Sequence, residues 1–275
     1  VFEGRNFLRL SFSTLACVGW DLATIVRLAR EWGYDGVELR VADDEAVHPA
    51  LSQTERKNVR RLFTRNKLAI PCLAAYTRFA FSEPERRQEN IIALKQVIDL
   101  AHDLEAPYVR TFGANVDWPV DRENLARWIA DGLVAVDDYA TKRGVRVLLE
   151  NHDLLSSGHA VRQVFDLAGP ISAGVLWDVK HSLREGEAVT ATLQKVGALI
   201  HHIHLKDWLV VPGLGQDRLV LLGAGALPLE TIVEYLQVIG YRGFLSLEWE
   251  KRWHPGIEDS YIAIYQYIQK IKPLL

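Results

Sequence analysis

The chain has 275 residues, a formal charge of −3, 49% hydrophobic and 24% charged residues. That balance excludes a disordered or fibrous protein, and the absence of a basic excess leaves nothing to neutralise a phosphate backbone, so no nucleic-acid partner is expected. No apolar run reaches the roughly 20 residues of a membrane helix, and the start VFEGRNFLRLSF shows no basic-then-apolar leader. With only Cys17 and Cys72, both in strand-like apolar segments, the expectation is a reduced cytoplasmic protein with no membrane partner. A first residue Val1 and the complete lack of Met point to a chain trimmed or altered relative to its gene.

In chain order, FLRLSF (7–12) reads as a strand, followed by a helix with apolar Leu22, Ile25, Val26 and Ala29 at three- and four-residue steps. Asp21 is its expected N-cap and Gly33 its C-cap. GVELR (36–40) is the second strand, and Ser52 with Glu55 predicts a capping box on the next helix. After AIPCLAAY (69–76), Pro84 suits a first helical turn. PYVRTF (107–112) follows, then a helix opened by Asp121 that carries Leu125, Trp128, Ile129, Leu133 and Val136 on one stripe. VRVLLE (145–150), AGVLWD (173–178), LIHHIHL (199–205) and GFLSLEWE (243–250) complete the strands, with Leu229, Ile232, Val233 and Leu236 forming a helical stripe before the last.

Strands alternating with helices imply right-handed parallel crossovers. Eight such units in roughly 250 residues predict an α/β (β/α)8 TIM barrel, whose functional groups come from the C-terminal ends of the strands. An open doubly wound sheet would carry a Gly-rich phosphate turn after its first strand; SFSTLACVGWD does not supply one. No linker or low-complexity tract interrupts the pattern, so one domain over 1–275 is expected.

Ionisable residues concentrate where a barrel places its chemistry. The fifth strand closes on Glu150, followed by Asn151 and His152, and the sixth closes on Asp178, followed by His181. The seventh carries His202, His204 and Lys206 at alternate positions, and the eighth carries Glu248 and Glu250 likewise, so each set faces one way. Carboxylate, carboxylate, imidazole and carboxylate thus reach one rim from four consecutive strands. Three acids packed so closely repel, and a divalent cation relieves that repulsion. The residues alone leave His202 against His204, and Glu248 against Glu250, open. They also leave open that Asp178 only caps the following turn and that a strand histidine is a hydrogen-bonded core group. Asp207 suits the role of orienting a ligand histidine. Glu38, Arg40 and Arg110 read as an ion-pair network plugging the early half of the barrel, Trp177 and Trp249 as core facing the helices, and the glycines of PGLGQDR and of 223–225 as a weak phosphate-pocket signal.

The segments VLLENHD, VLWDVKHS, IHHIHLKDW and FLSLEWE, in this order, resemble the sugar phosphate isomerase/epimerase superfamily of xylose-isomerase-like barrels. That superfamily includes ketose 3-epimerases, hydroxypyruvate isomerases and inosose dehydratases, with endonuclease IV more distant. The resemblance implies one divalent metal ion (Mn2+, Mg2+, Co2+ or Zn2+) on Glu150, Asp178, His204 and Glu248, with His181 contacting substrate. Glu150, Glu248 and His181 are then the expected catalytic groups, and His152, Lys206 and Glu250 the expected substrate contacts. The implied chemistry is proton transfer next to a carbonyl of a sugar or sugar phosphate, the enediolate being stabilised by the cation. The implied assembly is a homodimer or homotetramer.

An inosose-type dehydratase on the same metal is the alternative, since it begins with the same proton loss. An endonuclease-type trinuclear zinc site needs further histidines, yet AAYTRFAFS and RTFGANVDW hold none, and the late segment reads Asp217, Arg218, Leu219. A non-catalytic sugar-binding protein would not need all four ligands.

Overall fold

The computed structural model describes residues 8–114, 122–210 and 217–275. Its elements run β1 (Arg9–Phe12), α1 (Leu22–Trp32), β2 (Leu39–Arg40), α2 (Gln53–Arg65), β3 (Cys72–Ala74), α3 (Pro84–Leu104), β4 (Tyr108–Phe112), α4 (Arg122–Thr141) and β5 (Arg146–Glu150). They continue with α5 (Gly158–Ala168), β6 (Gly174–Asp178), α6 (Val179–Arg184), α7 (Val189–Val196), β7 (Ile200–Leu205), β8 (Asp207–Val210), β9 (Asp217–Val220), α8 (Leu229–Val238), β10 (Phe244–Leu247) and α9 (Ser260–Ile271).

Eight parallel strands form one sheet in the order β1-β10-β7-β6-β5-β4-β3-β2. The two ends of that order meet, because Glu38 N–H donates to Phe12 O at 2.9 Å and Thr14 N–H donates to Glu38 O at 2.9 Å. The sheet is therefore a closed (β/α)8 barrel, as the eight apolar segments predict. An unpredicted antiparallel hairpin, β8 and β9, stands after β7.

Alternation sorts the strand residues into two environments. Val147, Leu149, Val175, Trp177, Ile203 and Leu245 belong to the large core between sheet and helices. Cys72, Leu148 and Leu176 form a separate small cluster inside the barrel with Tyr108 against it. Above that cluster the lumen is polar, with Ser11, Glu38, Arg110, His202, His204 and Ser246 all buried.

Local signals hold where the residues are described. Asp21 accepts from Thr24 N–H at 2.7 Å, Gly33 ends α1 at φ 81°, and the Ser52–Glu55 capping box is formed, a feature of about 1 kcal/mol. Pro84 begins α3. The proposed cap Asp121 lies outside the described residues, as do residues 212–216 of PGLGQDR. Cys72 is in β3, whereas Cys17 follows a short 3-10 turn rather than standing in a strand; both are free and buried. Trp177 and Trp249 face the helix layer and place their indole N–H groups on Ser182 Oγ (3.0 Å) and Glu258 O (3.1 Å). Among the described residues no helix is long and apolar enough to cross a membrane.

Candidate metal centre

In a closed barrel the strands tilt and the register climbs around the cylinder. Glu150 pairs with Leu176, whereas Asp178, two residues further along β6, pairs with His204, and His204 pairs with Ser246. Glu248 stands two residues beyond Ser246. This stagger brings residues from different register rows to one height. One ligand atom from each of Glu150, Asp178, His204 and Glu248 lies within 4.8 Å of the others, and all four residues are buried.

Each member is held from outside the cluster. Arg110 Nη1 donates to Glu150 Oε2 at 2.6 Å, and its guanidinium lies 4.0 Å from the Phe112 ring centroid. Asn151 ties the end of β5 to the end of β6, accepting from Asp178 N–H at 2.6 Å and donating to Asp178 O at 2.9 Å. Asp178 does cap the following turn, accepting from Lys180 N–H through Oδ1 at 2.9 Å, yet its Oδ2 faces the cluster. His204 places Nε2 on Glu38 Oε2 at 2.8 Å and turns Nδ1 toward Glu248 Oε1 at 3.3 Å and Glu150 Oε1 at 3.8 Å. Lys206 Nζ reaches Glu248 Oε2 at 2.5 Å, Glu250 Oε1 at 2.6 Å and Asp178 Oδ2 at 2.8 Å.

Arg110 and Lys206 offset part of the repulsion among the acids. Burial raises the Glu150 carboxyl above its ordinary range, opposed by Arg110 and reinforced by Glu248. Burial also pushes Glu248 up, but Lys206 and His204 outweigh it and hold that carboxyl well below the usual range. At His204, burial opposes the charge, and Glu38 with Glu248 overcomes it, lifting the imidazole well above its ordinary value. Asp178 Oδ2 and His204 Nδ1 are buried and meet other charged groups of the cluster, Lys206 Nζ at 2.8 Å and Glu248 Oε1 at 3.3 Å. Three carboxylates and one imidazole converging within 4.8 Å, with the Lys206 ammonium among them, form a donor set that fits a divalent cation and does not choose among Mn2+, Mg2+, Co2+ and Zn2+.

The sequence pattern of the family described as xylose isomerase-like TIM barrel matches residues 26–270. The chain belongs to this family. Fructoselysine 3-epimerase of Shigella flexneri is 22% identical over 232 residues, 81% of this chain and 83% of that protein. Inosose dehydratase of Geobacillus thermodenitrificans is 24% identical over 170 residues, 55% of this chain and 56% of that one. The solved structure of the IOLI protein with a bound zinc atom has the same fold, at TM-score 0.80, 20% identity, and coverage of 97% and 96%.

In this xylose isomerase-like barrel the other expected contacts surround the cluster without joining it. His181 Nε2 is 3.4 Å from Asp178 Oδ2; burial, then Lys206 and His152, hold its imidazole well below the usual value and keep it neutral. His152 meets His181 edge-on with centroids 4.3 Å apart. Asp153 takes φ 50°, a left-handed conformation that Asp tolerates, and sets Oδ2 2.9 Å from His152 Nδ1. Burial lowers His152, but the contact with Asp153 prevails and raises it. Glu250 stays outside the four and bridges Lys206 to His254, with Oε2 3.2 Å from His254 Nε2. His202 sits one inward position deeper than His204 and gives Nε2 to Glu38 Oε2 at 2.8 Å.

Three expectations need correction. Asp207 does not orient a histidine: its carboxylate accepts from Trp208, Gly223, Gly225 and Leu227 N–H at 2.8 to 2.9 Å, and Glu38 holds His204 instead. The same bonds overturn the phosphate pocket at 223–225, because those amides are already taken by an internal carboxylate. Gly225 is required there, since a Cβ would stand 2.3 Å from Trp208 O. Glu38, Arg40 and Arg110 form no common network: Glu38 meets the histidines, Arg110 meets Glu150, and Arg40 meets Asp44 (3.2 Å) and Glu45 (2.5 Å). The signal for Glu38 was its inward alternation with Arg40, which marks the lumen but not the partner.

Proposed function

We propose that this chain is a metal-dependent isomerase or epimerase of a sugar or sugar phosphate, moving a proton next to a carbonyl. The observation that carries the reading is the buried convergence of Glu150, Asp178, His204 and Glu248, whose ligand atoms lie within 4.8 Å of one another. Those four residues would hold one divalent ion, which when bound supplies polarisation of a substrate carbonyl. Glu150 and Glu248 arrive from β5 and from the end of β10, on different sides of the cluster, so one carboxylate removes the α-proton and the other returns it. Arg110 and Lys206 keep these two acids apart and fixed in direction.

The neutral His181 offers a substrate oxygen either a hydrogen bond or a lone pair. His152, Lys206 and Glu250 are the proposed contacts to further hydroxyls around the mouth. The similarity to fructoselysine 3-epimerase supports this assignment. The similarity to inosose dehydratase supports a second one, in which the same proton loss is followed by departure of a β-hydroxyl.

The test is exchange of the α-proton in deuterated water over a panel of ketoses, with Mn2+ added. Deuterium uptake without loss of water supports the isomerase or epimerase, and loss of water supports the dehydratase. Glu150→Gln and Glu248→Gln should each lower turnover about 10²- to 10⁴-fold; full activity in both would reject the assignment.

A further inference from the structure

Glu38 takes no part in the chemistry proposed above, yet it is fully buried beneath it. Its Oε2 lies 2.8 Å from His202 Nε2 and 2.8 Å from His204 Nε2. A carboxylate oxygen brings no hydrogen of its own, so both contacts are N–H donations from the rings. One oxygen thereby assigns the Nε2 proton of two imidazoles. The consequence for His204 is directional: with Nε2 committed downward to Glu38, Nδ1 is the nitrogen left to face Glu150 and Glu248, 3.8 and 3.3 Å away. His202 is the second anchor, a donor from the same face of β7 that keeps the carboxylate centred under His204.

Resting on the ion-centre reading above, we infer that Glu38 is a positioning residue, which with His202 fixes His204 as an Nδ1 ligand and thereby sets the affinity of the site for its ion. The alternative partner for a ligand histidine, Asp207, is spent on four backbone amides. Glu38 is in addition joined to the barrel seam through its own backbone, between Phe12 O and Thr14 N–H. The backbone that carries the carboxylate is thereby held at the seam. A glutamine at this position offers one carbonyl oxygen and one amide donor group. Because both rings donate to the single atom Oε2, that one oxygen could still serve both, whereas Glu38→Leu removes the acceptor from both rings and leaves each free to reverse its tautomer or turn away.

The experiment uses the full chain stripped of divalent ions and titrated with Mn2+ by calorimetry, with no substrate present. Glu38→Leu should weaken Mn2+ binding about 10- to 100-fold, the range for loss of a carboxylate behind a ligand histidine. Equal affinity in the variant and the unaltered chain overturns the inference while leaving the ion centre intact. An unaltered chain that binds no Mn2+, Zn2+, Co2+ or Mg2+ overturns the inference and the ion-centre reading together.

A second measurement needs no variant and so stands if Glu38→Leu fails to fold. In the unaltered chain with 15N-labelled histidine, Zn2+ should move the His204 Nδ1 resonance to a ligand position while Nε2 keeps its proton. Coordination through Nε2, or uptake of a second ion that strips Nε2 of both rings, would refute the assignment.

Discussion

Asp178 and Asp207 both stand where a barrel strand gives way to the rim, and both are buried, yet they have opposite surroundings. Asp207 accepts four backbone N–H bonds, two on each oxygen, so its carboxylate is saturated and serves as the keystone of the turn over 223–227. Asp178 gives one oxygen to the Lys180 amide and leaves the other among acids, an imidazole and the Lys206 ammonium. Burial and charge are shared by the two residues. What separates them is whether the partners are fixed backbone amides, as at Asp207, or the side chains of a charged cluster, as at Asp178.

The sharpest way to break this contrast is to neutralise each acid in turn. Asp178→Asn should lower Mn2+ affinity by more than the roughly 100-fold ceiling for residues behind a ligand, and Asp207→Asn should leave it unchanged. Calorimetric titration of the two variants decides this, and equal losses in both would erase the distinction. Stability should show the reverse order. Asp207→Asn replaces an acceptor with a donor facing amides and should cost about 3 kcal/mol in denaturant unfolding. Asp178→Asn keeps an oxygen for the Lys180 amide and gives up the contact with Lys206, which retains Glu248 and Glu250, and should cost less than Asp207→Asn when the chain is free of ions. Ion at 100 times its dissociation constant should stabilise the unaltered chain and Asp207→Asn by about 2.7 kcal/mol, and should have no such effect on Asp178→Asn; melting with and without a chelator reads this.

The smallest effect concerns a histidine at the opposite end of β7. Burial, and then Arg146, push the His201 imidazole down to about 4 from 6.5. Because the unfolded chain takes up the proton first, this residue contributes stability above pH 6.5 that fades as the pH falls toward 4. The acid-side fall in melting temperature should therefore be shallower in His201→Gln than in the unaltered chain. An identical slope would show that the ring is solvated enough to titrate normally.

The sequence made legible whatever depends on neighbours in the chain. Alternation in LIHHIHL and GFLSLEWE located the inward residues, and the spacing from Ser52 to Glu55 located a cap, because both are local consequences of strand pleat and helix pitch. The meeting of Glu150, Asp178, His204 and Glu248 was legible once the strands were put in barrel order and compared with related segments. Partnerships across the lumen were not. Glu38 and His204 are 166 residues apart on strands that are not neighbours in the sheet, and no period in the sequence connects them. Asp207 was misread for a similar reason: three of its four amides, those of Gly223, Gly225 and Leu227, belong to a turn 16 to 20 residues downstream, whose path depends on the unpredicted hairpin β8 and β9.

The two-residue repeat along the ends of β6 and β10, and along β7 beyond its irregularity at His201, also governs how such a chain can diverge. Inserting or deleting a single residue within β10 would exchange Glu248 for Trp249 at the lumen, and the same slip in β6 would exchange Asp178 for Trp177. Length variation is consequently confined to the connections at either mouth. Those connections can be rewritten while the staves keep their count and the four inward residues their common height.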